Sequence, residues 1–253
     1  VWLLDQGTFA LVVAAIVALG AREWARLAGF AARPALGYAL FCTMAYGACA
    51  AWLQPLQAGA MPLAALWLLA LLFWALVVPA WLVRGLSPGA GRALLAAGVV
   101  VLVPSALAMA ALKPGALVAL LGLVWIADTA AYLAGRAFGR HKLAPAISPG
   151  KTWEGVAGAT LAGLAYAIIL AASWPEFGRH VAGTVWLAYV AGVVMLCAAS
   201  ILGDLFESAL KRRAGAKDSG SLLPGHGGVL DRIDSATAVL PVGALLLACL
   251  EAA

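Results

Sequence analysis

Long apolar runs separated by short turns set the pattern of this chain. Crossing roughly 30 Å of hydrocarbon takes about 20 mostly apolar residues. Eight stretches approach that length, near 7–21, 35–53, 61–82, 93–112, 115–135, 155–174, 181–203 and 235–250. The turns between them are polar or carry Gly and Pro, as in Gln54-Pro-Leu-Gln-Ala-Gly-Ala60 and Lys113-Pro-Gly115. No long linker, low-complexity stretch or domain boundary interrupts the series. The pattern predicts an all-α, polytopic helical membrane protein of about eight spans. It forms a single transmembrane domain over residues 1–253, with catalytic loops near 128–155 and 203–235.

Composition agrees with lipid as the main solvent. The chain has 253 residues, 65% apolar and only 11% charged, whereas a soluble domain carries about 25% charged residues. Basic residues also segregate. Lys113 and Arg179 fall in one set of alternate loops; Arg22, Arg26, Arg33, Arg84, Arg92, Arg136, Arg140, Lys142, Lys151, Lys211, Arg212, Arg213, Lys217 and Arg232 fall in the other. The positive-inside rule places the second set in the cytoplasm and both listed ends outside. The formal charge of +5 suits anionic headgroups or phosphates, and nothing points to a nucleic-acid partner. The abrupt start at Val1–Gln6, with neither Met nor a signal-like leader, leads us to expect a missing upstream piece. Cys42, Cys49, Cys197 and Cys249 lie inside apolar runs without CxxC spacing, which reads as small core hydrophobes.

Two basic-side regions carry candidate chemistry. In the first, Asp128, Tyr132 and Arg136 are spaced four apart on one helical face. A carboxylate inside an apolar span costs about 3 kcal/mol unless it faces a polar cavity. Further on, Ser148-Pro-Gly-Lys-Thr152 resembles the end of a P-loop, but Pro145 stands where the first Gly belongs. What remains is a loop before a helix near 152–155, whose free N–H groups can hold a phosphate. Gly155, Ala159 and Gly163 recur every four residues, a stripe for close helix packing.

The second region runs from Gly203 to Ser235. Asp204, Glu207 or Ser208, and Lys211 share a helical face at the basic end of a span, and Asp231 and Asp234 open the next. Pro224-Gly-His-Gly-Gly228 is a permissive turn between them. Magnesium takes one or two carboxylates plus substrate phosphates, and nearby Lys and Arg neutralise a leaving pyrophosphate.

Ser208-x-Leu-Lys-Arg, four residues, Lys217-Asp218, Pro224-x-His-Gly-Gly and Val229-x-Asp-Arg-Ile-Asp234 together resemble the integral-membrane phosphatidate cytidylyltransferases, or CDP-diacylglycerol synthases. The stretch from Ala127-Asp128 through Lys142-Leu-Ala-Pro145 to Gly155 is similar too. Residues 1–110 resemble the family only in hydrophobic layout and in Glu23-Trp24. Members usually have another helix upstream, so eight spans here stand for nine natively. The resemblance implies CTP and phosphatidic acid as substrates, Mg²⁺ as cofactor with room for a second cation, and a bacterial inner membrane location. A homodimer is held open. It implies Asp204 and Asp231 as the main metal ligands and catalytic carboxylates, with Asp234, Asp218 and Asp128 as further candidates. Lys211, Arg212, Lys217, Arg232 and Lys151 become phosphate contacts, with Ser148 and Thr152 in the substrate loop. His226 is a candidate for ligand contact or proton transfer.

Two rivals follow from the same residues. A CTP-dependent lipid kinase would release CDP instead of pyrophosphate. A transporter would also use intramembrane carboxylates, but predicts broken helices near the midplane rather than charge gathered at one end. A CDP-alcohol phosphotransferase lacks support, because its Asp-Gly-x-x-Ala-Arg motif is absent.

Overall fold

Hydrocarbon offers the backbone no hydrogen-bond partners, so apolar runs of this length fold as helices. The structure, a computed structural model, describes residues 5–53, 61–87, 89–222, 225 and 227–251. Helices α1 (Gln6–Leu27) and α2 (Ala32–Leu53) form an antiparallel pair. The third span is α3 (Met61–Leu72), a π turn (Phe73–Val77) and α4 (Val78–Arg84). Then come α5 (Gly91–Ala111), α6 (Pro114–Phe138), α7 (Trp153–Ser173), the short α8 (Pro175–His180), α9 (Val185–Arg213) and α10 (Leu230–Glu251). Among the described residues, eight segments are long and apolar enough to cross a membrane. This is a polytopic helical membrane protein.

The span count matches the hydrophobic pattern, but helix ends reach further. α1 runs to Leu27 and α9 to Arg213, because Trp24, Leu27, Phe206 and Leu210 continue the buried stripe past the charged residues between them. The expected loop after α6 contains an antiparallel hairpin, β1 (Lys142–Ala144) with β2 (Ser148–Thr152). Cys42 and Cys197 are buried as expected, whereas Cys249 is exposed on the outer surface of α10.

α5 and α10 form the centre, with long buried faces that include Leu94, Val101 and Leu102 on one and Ala238, Val239 and Val242 on the other. α6 and α7 pack closely through small residues: a Cβ at Gly155 would lie 2.8 Å from Ala131 O. The Gly155–Ala159–Gly163 stripe therefore does what its spacing predicted, and at Gly163 it also receives Cys197 of α9. Tie-points then gather the basic loops at one end. Arg213 donates to Ser87 O (3.1 Å) and Leu27 O (3.3 Å), and Arg212 donates to Ile147 O (3.2 Å).

Candidate active site

Phe206 sets the rotation of α9. It is buried against Trp24, Phe73, Trp74 and Trp81, with ring centroids 5.8–6.1 Å apart. Each helical residue turns about 100°, so anchoring Phe206 in this cluster points Asp204, Ser208 and Lys211 away from it. The π turn at Phe73–Val77 lies in the same cluster. On the opposite face Ser208 Oγ donates to Asp204 (3.3 Å) and Lys211 Nζ donates to Glu207 (3.1 Å).

The start of α10 is held by carboxylates. Lys211 Nζ reaches Asp231 Oδ1 at 2.7 Å. Asp231 Oδ2 accepts from Ser219 N (2.8 Å), Ser219 Oγ (2.9 Å) and Gly228 N (2.7 Å). Val229 N and Leu230 N donate to Glu23 of α1, at 3.0 and 2.9 Å. Three successive N–H groups at this helix start, where intrahelical partners are lacking, thus find acidic acceptors: Gly228, Val229 and Leu230.

A third group of acids joins three helices. Asp128 of α6, Asp204 of α9 and Asp234 of α10 lie close enough for their charges to repel. Their closeness follows from Gly203: a Cβ there would stand 2.6 Å from Asp234 O, so α9 and α10 touch backbone to backbone. Asp128 also accepts from Ser200 Oγ at 3.3 Å. The β1–β2 hairpin delivers Lys151, whose Nζ lies 2.6 Å from Asp204 Oδ2. From this acidic corner a groove of about 390 Å³ runs between α1, α5, α6 and α10. Its far walls are apolar (Val13, Ile16, Leu102, Met109, Leu121), and its near end carries Asp128, Asp231, Arg232 and Asp234.

Residues 1–250 match the sequence model of the Cytidylyltransferase family. The chain belongs to that family. It is 44% identical to a phosphatidate cytidylyltransferase of Pseudomonas aeruginosa, over 97% of this chain and 90% of the relative. It is also 52% identical to one from Haemophilus influenzae over 47% of this chain and 41% of that protein. A third, from Staphylococcus haemolyticus, is 44% identical over 49% of this chain and 46% of the relative.

Within this cytidylyltransferase fold, the residues singled out from sequence fall into three groups. Asp128, Asp204, Asp234, Lys151, Lys211 and Asp231 converge at the acidic corner or beside it, and Arg232 lines the groove. Lys217 and Asp218 are exposed on the α9–α10 loop, and Ser148 is half-buried in β2. Arg212 turns to the hairpin tip, and Thr152 is buried with its hydroxyl accepting from Gly155 N (3.1 Å) as the N-cap of α7. His226 lies outside the described residues. Sequence reasoning gave Glu23 no role, since its partners are 196–207 residues away. It also missed the pair of His141 Nδ1 with Glu154 Oε1 (2.6 Å), which braces the hairpin onto α7; Glu154 in the first turn of that helix was the available signal.

Proposed function

We infer that this chain transfers the cytidylyl group of CTP to phosphatidate, giving CDP-diacylglycerol and pyrophosphate, at the cytoplasmic face of a bacterial inner membrane. The observation that carries the reading to a lipid acceptor is the groove. It is apolar along the walls of Val13, Leu102 and Leu121 and charged where Asp128, Arg232 and Asp234 line it, and its volume lies in the range of small-molecule sites. Acyl chain suits the Val13–Leu121 walls, and a phosphate headgroup suits the end holding Arg232. The cytoplasmic side is supported by the segregation of fourteen Lys and Arg residues, against Lys113 and Arg179 at the other end.

The donor set fits Mg²⁺. Among the described residues no three acidic, His or Cys side chains converge closely enough to hold an ion unaided. That suits a cation which takes one or two carboxylates and completes its shell with substrate phosphates. Asp204 would hold it, with Asp128 and Asp234 beside it; Asp231 joins only by releasing Lys211 from Oδ1. When bound, the ion would neutralise triphosphate charge and favour in-line displacement. The protein's own part is positioning. The groove holds the phosphatidate phosphate so that its oxygen attacks the α-phosphorus, the α–β anhydride bond breaks, and pyrophosphate leaves. Lys151 and Arg232 are placed to meet phosphate charge, and Lys211 fixes Asp231 and Glu207. The cation beside Asp204 here is the Lys151 ammonium, whose transfer to a phosphate would open that carboxylate.

The deciding experiment incubates purified protein with labelled CTP, Mg²⁺ and phosphatidate, then identifies the phosphate product. Pyrophosphate with CDP-diacylglycerol is expected. CDP with a phosphorylated lipid would transfer the case to a lipid kinase.

A further inference from the structure

Glu23 sits one turn before the end of α1, where its oxygens meet two structures far away in sequence. Oε1 accepts from Val229 N (3.0 Å); Oε2 accepts from Leu230 N (2.9 Å) and from Ser219 Oγ (2.9 Å). The same Ser219 hydroxyl lies 2.9 Å from Asp231 Oδ2. One hydroxyl therefore stands between two carboxylates, one from α1 and one from α10. The surrounding backbone is shaped to the Glu23 side chain. A Cβ at Gly220 would lie 2.6 Å from Glu23 Oε1, and one at Gly228 would collide with Glu23 and Ser219 together. The carrier is itself fixed. Trp24 Nε1 donates to Leu94 O of α5 (2.7 Å), and Gly20, one turn earlier, lets Leu230 approach α1.

We propose that Glu23 is a positioning residue for the transfer reaction, clamping Ser219–Gly220 and Gly228–Leu230 at the start of α10 so that Asp231 and Lys211 keep their orientation. The proposal rests on the cytidylyl-transfer reading for its kinetic part alone. The physics is that of a helix cap supplied from another helix: the positive end of α10 favours a carboxylate, and orphan N–H groups need acceptors. Three of the four donors to Asp231, at Ser219 and Gly228, belong to the loop that Glu23 fixes. Loosening the loop therefore loosens Asp231, and through it Lys211.

The test compares wild type, Glu23→Ala and Glu23→Gln in full-length protein, by amide hydrogen exchange and by steady-state kinetics per folded molecule. In Glu23→Ala, exchange at Ser219 and Gly228–Leu230 should quicken tenfold or more, about 1.4 kcal/mol of lost local protection, while α6 and α7 stay as in wild type. Turnover should fall about tenfold or more, with the KM for CTP nearly unchanged. Glu23→Gln keeps one acceptor oxygen and should fall between; it carries the same measurements if the Ala variant does not accumulate. Wild-type exchange and kcat in Glu23→Ala would overturn the proposal. Faster exchange with unchanged kcat would leave a purely structural cap and equally overturn it. If wild type itself makes no CDP-diacylglycerol, the reaction assignment falls, while the exchange arm still decides whether Glu23 clamps the loop.

Discussion

Lys211→Met removes a cation that joins α9 to the start of α10. The Lys211 side chain is 14% exposed, beside Glu207 at 4% and Asp231 at 8%. Breaking a buried ion pair by deleting one partner costs about 3–5 kcal/mol, because a charge is left uncompensated. The two acids do not share that loss equally. Asp231 keeps three donors on Oδ2. Glu207 loses its donor on Oε2, and its Oε1 has no hydrogen-bond partner among the described residues. The penalty therefore falls mainly on Glu207, and the lower end, about 3 kcal/mol, is expected. At 2–4 °C per kcal/mol for a chain of this size, the midpoint should drop by roughly 6–12 °C. Thermal unfolding of the detergent-solubilised protein, followed by tryptophan fluorescence, measures it, since Trp24, Trp74 and Trp81 surround Phe206 next to Glu207. Adding Glu207→Gln removes the stranded charge and should recover at least half of the loss. A drop under about 2 °C, or a double mutant no better than the single, would refute the assignment of Lys211 as the structural counter-charge.

Asp204→Asn should slow turnover on the order of a hundred- to a thousandfold, the effect of losing ~3–4 kcal/mol in the transition state. Its melting midpoint should barely move, since the partners of Asp204 among the described residues are Lys151 and Ser208; Asp231→Asn should lose both rate and stability. Gly203→Ala forces a Cβ to within 2.6 Å of Asp234 O and 3.1 Å of Ser235 Cα. Unfolding should register about 1–3 kcal/mol of destabilisation, and turnover should fall as the Asp204–Asp234 spacing opens, while Gly37→Ala, which meets nothing within 4 Å, should be neutral in both assays. Single cysteines at Ala146 and Ala214, in a cysteine-free background, should resist a membrane-impermeant thiol reagent applied to intact cells. Labelling at either position would invert the proposed orientation.

The spans were legible because hydropathy and length act locally, and lipid enforces them strongly. Asp128, Asp204 and Asp231 stood out because charged residues at span ends interrupt that pattern. Helix ends were less legible. Asp231 and Asp234 were expected to open the last span and do so, but its apolar run is legible only from residue 235, whereas α10 begins at Leu230, where Glu23 of α1 accepts from its first N–H. Equally hidden was the occupation of Asp231 by four donors: Lys211 is 20 residues away and Ser219 is 12, across a loop whose path no periodicity describes. The hairpin was missed for a related reason. Its three-residue and five-residue strands pair only with each other, and the tip is tied to α9 through Arg212.

The length of α9 has a consequence for how the enzyme meets its substrates. Twenty-nine residues make a rod of about 43 Å, against roughly 30 Å of hydrocarbon. Asp204 lies nine residues before its end, about 14 Å along the axis. With the start of α9 at one edge of the hydrocarbon, the carboxylate corner would lie where acyl chains give way to headgroups, with Arg212 and Arg213 beyond it and the Lys211 ammonium turned back to Glu207 and Asp231. Under the proposed reaction, CTP arrives by three-dimensional diffusion and phosphatidate by lateral diffusion within the sheet. The nucleotide then saturates as a bulk concentration, the lipid as a mole fraction of the surface. Diluting phosphatidate with inert lipid at constant total amount should slow the reaction, while adding more vesicles of the same composition should not.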